Sequence, residues 1–260
     1  MCCQETEPDK IVPVKFIREY GDLCVHVQGQ ENNGDVTVVE MAPKIFESIR
    51  RRYGVSDQEV LDAFSPCNNK QAIRNFQTGS GQSNSFFLFT DNKQFVLKTL
   101  KPTEEELLFN KKNGILASYF TYIQKHPNSL ISRLLGVYKV KLQMMDEYVT
   151  FVIMDSLIGE EYRRIERLYD LKGSTHGRIT KLTPEQEANG SGLKTLKDLN
   201  FDGIDIQEGE KLELIATLES DSHFLMGLHL IDYSMLLTKY RVLKSGEIDD
   251  DAKDEALQQD

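Results

Sequence analysis

Apolar positions at Ile45, Phe46, Ile49 and Tyr53 fall on one helical face behind Pro43, and Gly54 closes the run, which predicts a helix. A second, shorter helix is expected over 57–64. Phe86-Phe87-Leu88-Phe89, then Asp91-Asn92, then Phe95-Val96-Leu97-Lys98 reads as strand, tight turn and strand. Residues 104–125 carry a helical pattern that Lys125-His126-Pro127-Asn128 stops. Residues 134–142 and 148–154 form a second hairpin around Met144-Met145-Asp146. The two hairpins together predict an antiparallel sheet with a helix laid against it.

Beyond Met154 the pattern changes. Residues 163–178 are basic and polar, and 183–192 read as a mobile loop by composition. Residues 209–230 form an amphipathic helix with Leu214, Ile215, Leu218, Leu225 and Leu228 inward. That helix delivers the chain to Ile231-Asp232-Tyr233-Ser234, and 239–244 is expected to be one more strand. Residues 1–40 are mixed, with a Gly/Asn-rich turn at 31–34. From Ser245 the chain is acidic, a composition that favours disorder.

Composition adjusts this picture modestly. The 260 residues, 40% hydrophobic and 28% charged, suit a globular protein with one large core or two lobes. No apolar run approaches the roughly 18 residues of a membrane span. The start, Met1-Cys2-Cys3-Gln4-Glu5, lacks signal-peptide order, and its cysteines are weak candidates for palmitoylation. Cys24 and Cys67 have no zinc-like spacing, which fits a reducing compartment. The net charge is −10, but seven acids and one base lie in 245–260, so the remainder carries −4. Net charge therefore says little about any one face. The basic clusters Arg50-Arg51-Arg52 and Arg163, Arg164, Arg167 read as solvated helix surface, and no nucleic-acid partner is expected.

Four segments could carry chemistry. A glycine-rich turn between strands lays backbone N–H groups on phosphate, because no Cβ blocks the approach. Gly79-Ser80-Gly81-Gln82-Ser83 sits in such a place, although most such turns are ordinary hairpins. Lys98 is the sole charge between Phe95 and Leu100, so apolar neighbours would hold its ammonium at the α- and β-phosphates of a nucleotide. The plain alternative is an edge-strand lysine reaching solvent. An acid must orient such a lysine. Among Glu104, Glu105 and Glu106 the expectation is Glu106, against the alternative that acids simply favour a first helical turn. Tyr169-Asp170-Leu171-Lys172-Gly173-Ser174 puts an acid and a base on one side of a strand, with Gly173 open to a ligand, or else forms a surface ion pair before a turn. Asp232, set between apolar residues, is placed to accept a hydroxyl proton, or else caps a helix.

The ordered set decides between these alternatives. Tyr169 to Thr175 resembles the signature of phosphatidylinositol phosphate kinases. Asp221-x-x-Phe224-Leu225-x-x-Leu228-x-x-Ile231-Asp232-Tyr233-Ser234-x-Leu236-Leu237 resembles that family's catalytic segment, with Ile231 where methionine is usual. Thr195-x-Lys197-Asp198-x-x-Phe201 is similar to its threonine–lysine–aspartate stretch. Ala42-Pro43 to Gly54-Val55, the glycine loop, Phe95–Thr99 and Leu130-x-x-x-Leu134-Leu135-Gly136-x-Tyr138 follow the same order, over about residues 36–243.

The resemblance implies an α+β, two-lobed lipid-kinase fold. It would comprise an N-terminal extension (1–35), an antiparallel-sheet N-lobe with packed helices (36–155), a partial C-lobe (156–244) and an acidic tail (245–260). It implies ATP and Mg2+ as cofactors. Gly79, Ser80, Gly81, Gln82 and Ser83 would cover the phosphates, with Lys98 on the α- and β-phosphates and Glu106 orienting it. Met154 and Asp155 would lie at the adenine hinge. Asp232 would be the catalytic aspartate, with Asp170 and Lys172 placing phosphate or substrate. The substrate would be a phosphatidylinositol monophosphate, with the 4-phosphate taken to the 4,5-bisphosphate, met peripherally from the cytoplasm at the inner face of the plasma membrane or at other membranes, and a homodimer through the N-lobe is a further expectation.

One departure matters. The family's Ile-Ile-Asp segment, whose aspartate holds magnesium, and its substrate-selecting loop follow a variable insert. Here the insert is expected to begin at Ser245, with the chain ending at Asp260. Without that carboxylate little turnover is expected. Rival readings are an inactive interaction module and a soluble inositol phosphate kinase. The latter has an Asp-x-Lys-x-Gly signature; Asp170 and Lys172 match it, but Ser174 stands where its glycine should, one residue after Gly173.

Overall fold

The computed structural model describes residues 25–31, 34–70, 85–142, 146–159, 164–189 and 194–241. The chain divides into two compact units, Met1–Gly159 with Ile206–Ile231, and Glu160–Asp205 with Asp232–Asp260.

The first unit is built on a six-stranded antiparallel sheet. Its strands are β1 (Val25–Glu31), β2 (Gly34–Met41), β3 (Phe87–Phe89), β4 (Phe95–Leu100), β5 (Leu134–Leu142) and β6 (Val149–Asp155), in the order β1-β2-β5-β6-β4-β3. Both expected hairpins are present, with Phe87 opposite Lys98 and Val137 opposite Val152. The sheet begins earlier than expected. β1 lies within the span read as an extension, pairs with β2 (Glu31 opposite Gly34), and β2 joins the sheet through β5.

Helix α1 (Pro43–Arg52) lays Ile45, Phe46 and Ile49, all fully buried, against β5. Arg50, expected on the surface, is 6% exposed. It donates to the Leu135 carbonyl at 2.6 Å and to Asp57 Oδ1 at 2.8 Å, so a buried charge is fully partnered. Helix α2 (Asp57–Ala63) starts at a Ser56–Glu59 capping box.

The expected helix over 104–125 is two helices, α3 (Pro102–Phe109) and α4 (Leu116–Lys125). Asn110 breaks it, because its side chain accepts the amides of Lys112 and Asn113 and substitutes for helical hydrogen bonds. Gly114 completes the break: a Cβ there would lie 2.5 Å from the Asn110 carbonyl oxygen. Phe95, Leu116, Ile123, Leu135, Val137 and Val152 complete the buried core with α1.

Helix α6 (Glu208–Gly227; the short α5 is given below) also belongs to this unit. Its expected apolar seam is weaker than the sequence suggested. Leu214, Leu218, Leu225 and Leu228 are half-buried, and Ile215 is 43% exposed. The buried residue on this helix is Asp221, whose carboxylate accepts from Tyr122 Oη (2.8 Å), Ser129 Oγ (2.7 Å) and the Leu130 amide (2.7 Å). Tyr122 stacks between Phe224 and His126, and burial pushes its hydroxyl pKa up to about 12.

The helix ends abruptly. His229 takes φ +55°, and the Leu230 amide returns to the Leu225 carbonyl at 3.0 Å while the His229 amide binds that of Met226. This is a Schellman closure with histidine in the glycine position.

The second unit holds a small mixed sheet of β7 (Ile165–Leu171), β8 (Thr195–Leu196) and β9 (Met235–Tyr240), in the order β8-β7-β9. β9 is the strand expected at 239–244, placed earlier because it pairs with β7 from Met235 opposite Leu171 to Tyr240 opposite Ile165. The expected loop at 183–192 contains helix α5 (Pro184–Asn189). Thr183 and Gln186 cap it reciprocally, a local signal that the polar composition hid. Leu196, Leu168 and Tyr169 are buried, and Phe201 meets Tyr169 edge-on at 5.3 Å.

Candidate active site

In the first unit, β4 presents Lys98. Phe95 and Val96 anchor the strand in the core, and the Lys98 side chain is 21% exposed. Its Nζ donates to Glu104 Oε1 at 2.8 Å and lies 6.0 Å from the centre of the Phe87 ring. The orienting acid is therefore Glu104, which corrects the expectation of Glu106. The helical register decides this. Glu104 is at the third helical position, where its other oxygen accepts the Lys101 amide at 2.8 Å. Glu105 turns to Lys139 and Thr150, and Glu106 to Asn110. Partial burial pushes the Glu104 carboxyl up. The Lys101 amide, the Lys98 hydrogen bond and the two lysine charges outweigh it and hold the group below its ordinary value.

Met154 is half-buried opposite Val96 and Leu134, and Asp155 accepts from Arg133 at 2.8 Å. Gly79, Ser80, Gly81, Gln82 and Ser83 lie outside the described residues.

The second unit gathers the other candidates. Asp232 takes φ +63°, a left-handed conformation that aspartate tolerates better than most side chains. It caps no helix, since α6 has ended at Gly227 and β9 begins at Met235. Its side chain is 78% exposed and receives the Lys172 ammonium. That hydrogen bond and the Lys172 charge hold the Asp232 carboxyl below its ordinary value. Asp170, at the end of β7, pairs with Arg178 rather than with Lys172: Oδ2 lies 3.5 Å from Arg178 Nη2, which also donates to the Asp170 carbonyl. Asp170 Oδ1 is buried with no hydrogen-bond partner among the described residues.

Gly173 takes φ +70°, a conformation the turn requires, and open space lies where a Cβ would sit. Its amide is already taken. Asp198 Oδ1 accepts from the amides of Gly173 (2.7 Å), Lys172 (2.9 Å) and Ser174 (3.4 Å), and Oδ2 accepts from Arg178 Nε at 2.7 Å. Sequence reasoning assigned Asp198 and Arg178 no role. The signal was present in the Thr195-x-Lys197-Asp198 stretch, but nothing local showed which amides its carboxylate would fill.

The Arg178 hydrogen bond, followed by those amides, overcomes partial burial and holds the Asp198 carboxyl well below the ordinary aspartate range. Folded Asp198 thus binds a proton more weakly than in the unfolded chain. Its stabilisation is complete above the ordinary aspartate value and is lost as pH falls through that value and below it. Urea midpoints measured down an acid series are expected to drop in this window, and less steeply in Asp198→Asn. Equal slopes would contradict the assignment.

Among the described residues no group of three or more His, Cys, Asp or Glu side chains converges as a metal site. The described residues do not by themselves form a magnesium site. What they do form is a partly buried lysine paired with Glu104 in one unit, and in the other an exposed carboxylate held by Lys172.

Comparison with known proteins adds an independent line. Residues 67–260 match the family model described as phosphatidylinositol-4-phosphate 5-kinase. The chain is 33% identical over 199 residues to phosphatidylinositol 4-phosphate 5-kinase 5 of Arabidopsis thaliana, covering 76% of this chain and 24% of that protein. It is 31% identical to the phosphatidylinositol 4-phosphate 5-kinase of Plasmodium falciparum, over 75% of this chain and 12% of the other. It is 32% identical to a probable phosphatidylinositol phosphate kinase of Dictyostelium discoideum, over 76% and 27%. The chain spans about a quarter or less of the length of these relatives.

Proposed function

The chain belongs to the phosphatidylinositol-4-phosphate 5-kinase family, and from that premise we propose that it takes part in transferring the γ-phosphoryl group of ATP to a ring hydroxyl of a phosphatidylinositol monophosphate. The preferred substrate is the 4-phosphate and the acceptor its 5-hydroxyl, a choice supported by the names of the relatives. The observation that carries the reading is Asp232: an exposed carboxylate, kept ionised by Lys172, with room for an incoming hydroxyl.

In this reading Asp232 orients the inositol hydroxyl and accepts its proton as the new P–O bond forms. Lys172 holds that carboxylate, and Asp170 helps place the substrate from the end of β7. Lys98, steadied by Glu104, binds the α- and β-phosphates of ATP. No described helix is long and apolar enough to cross a membrane, and the reading places the protein peripherally at a cytoplasmic lipid surface.

The test is phosphate transfer from labelled ATP to vesicles of phosphatidylinositol, its 4-phosphate or its 5-phosphate, using protein expressed from its own gene. Labelling confined to the 4-phosphate and abolished in Asp232→Asn is expected. Undiminished labelling in that variant would refute the role. Glu104→Gln is expected to raise the KM for ATP about threefold to tenfold, because Lys98 loses its orienting charge. Glu106→Gln is expected to leave that KM unchanged; steady-state ATP titration separates the two.

A further inference from the structure

The turn after β7 is organised around a carboxylate that touches neither Asp232 nor the Lys172 side chain. Three successive amides, of Lys172, Gly173 and Ser174, point at one oxygen of Asp198, while its other oxygen takes Arg178 Nε. Three converging amides form an anion-binding concavity. Here the protein fills it with its own side chain, so this turn does not offer its backbone to a phosphate.

Asp198 is itself presented from a rigid base. Leu196, two residues earlier, is fully buried, and Phe201 packs on Tyr169. Asn200 Oδ1 accepts the Thr180 amide at 2.8 Å and its Nδ2 donates to the Thr180 carbonyl at 3.0 Å. The Leu199 amide binds the Arg178 carbonyl at 2.9 Å. Arg178 reaches on to the Asp170 carbonyl, so the end of β7 is tied to the same carboxylate from both sides.

A lysine ammonium rides on a flexible four-carbon stem, and its reach to one target depends on where its backbone is held. The Lys172 amide is held by Asp198, and the Lys172 ammonium meets Asp232.

We propose that Asp198 is a positioning residue: by occupying the amides of the Lys172–Ser174 turn and fixing Arg178, it holds the backbone from which Lys172 grips the Asp232 carboxylate. The consequence for catalysis rests on the proposed role of Asp232; the positioning itself does not.

The experiment therefore has a structural arm and a kinetic arm. In the 260-residue chain, carboxyl 13C NMR follows the titration of Asp232, its signal assigned by its loss in Asp232→Asn. Lys172→Met is expected to move the Asp232 midpoint up toward the ordinary aspartate value. Asp198→Ala is expected to move it the same way, and the double variant no further than Lys172→Met alone. A folded Asp198→Ala whose Asp232 midpoint is unchanged or lower overturns the proposal. Should Asp198→Ala not fold, Asp198→Asn serves: it keeps the shape but cannot satisfy amides and guanidinium as a charged acceptor, and the same upward movement is required.

In the kinetic arm, Asp198→Asn is expected to lower kcat about tenfold to hundredfold through misplacement of Asp232, with the KM for ATP unchanged. If the midpoint moves but Asp232→Asn labels lipid normally, positioning stands and the catalytic reading falls. If Asp232→Asn is inactive and the midpoint does not move, positioning falls alone.

Discussion

Asp232→Asn is expected to lower the rate of phosphoinositide labelling about 10²–10⁴-fold while the protein stays folded. The two side chains have nearly the same shape, and asparagine accepts the left-handed φ of +63° as readily as aspartate. The position is 78% exposed in its side chain, so little packing is disturbed. What is lost is chemical: an amide oxygen neither accepts the hydroxyl proton nor carries the charge that draws the Lys172 ammonium. The KM for ATP is expected to stay within about twofold, because the groups assigned to the nucleotide phosphates lie elsewhere in the chain. Lys172→Met should also slow turnover, and the double variant should lose little beyond Asp232→Asn, since the two act as a unit. Steady-state kinetics on phosphatidylinositol 4-phosphate vesicles checks all three. Full additivity would mean that Lys172 acts independently of Asp232.

Asp221→Ala is expected to destabilise the first unit by about 2–4 kcal/mol. Asp221 is 6% exposed and its two oxygens take three donors, from Tyr122, Ser129 and the Leu130 amide. Alanine leaves the Ser129 hydroxyl and the Leu130 amide facing a gap. Tyr122 keeps its contact with Ser220 at 2.9 Å and its stacking on Phe224 and His126, which limits the damage. Asp221→Asn should lose less, since one oxygen still accepts while its NH2 opposes one former donor. Urea unfolding measures the difference, and amide exchange at Leu130 localises it. A loss below about 0.5 kcal/mol would show that the half-buried leucines of α6 dock the helix without it.

Both residues fall in the one segment, Asp221 to Leu237, that the sequence marked as a unit, yet they do different work. Asp221 docks a helix, and Asp232 stands exposed beyond its end. The letters placed both on the page with equal weight. Burial separates them, and burial depends on what other parts of the chain bring alongside: Tyr122 and Ser129 about a hundred residues away for the first, Lys172 sixty residues away for the second.

The same contrast runs through the fold. The α1 face, the two hairpins and the Ser56 cap were legible because periodicity of 3.6 or 2, turn residues and caps are local physics. The break at Asn110 and Gly114 was missed because a polar side chain that binds its own backbone looks, in a string, like an ordinary helical surface position. Arg50 was misread for the related reason that a charge can be buried when distant groups satisfy it, here the Leu135 carbonyl as well as the nearby Asp57.

For this protein the sequence alone determined the family, the α+β character, and a short set of charged residues with a chemistry to match, because residue type and order carry that information directly. Only the folded chain decided who meets whom: Glu104 rather than Glu106 on Lys98, Arg178 rather than Lys172 beside Asp170, and Asp198 on the amides of the Lys172–Ser174 turn. Ion pairs and hydrogen bonds act over a few ångströms in space. A sequence gives distances along the chain, and these fix separation in space only within a single turn or strand.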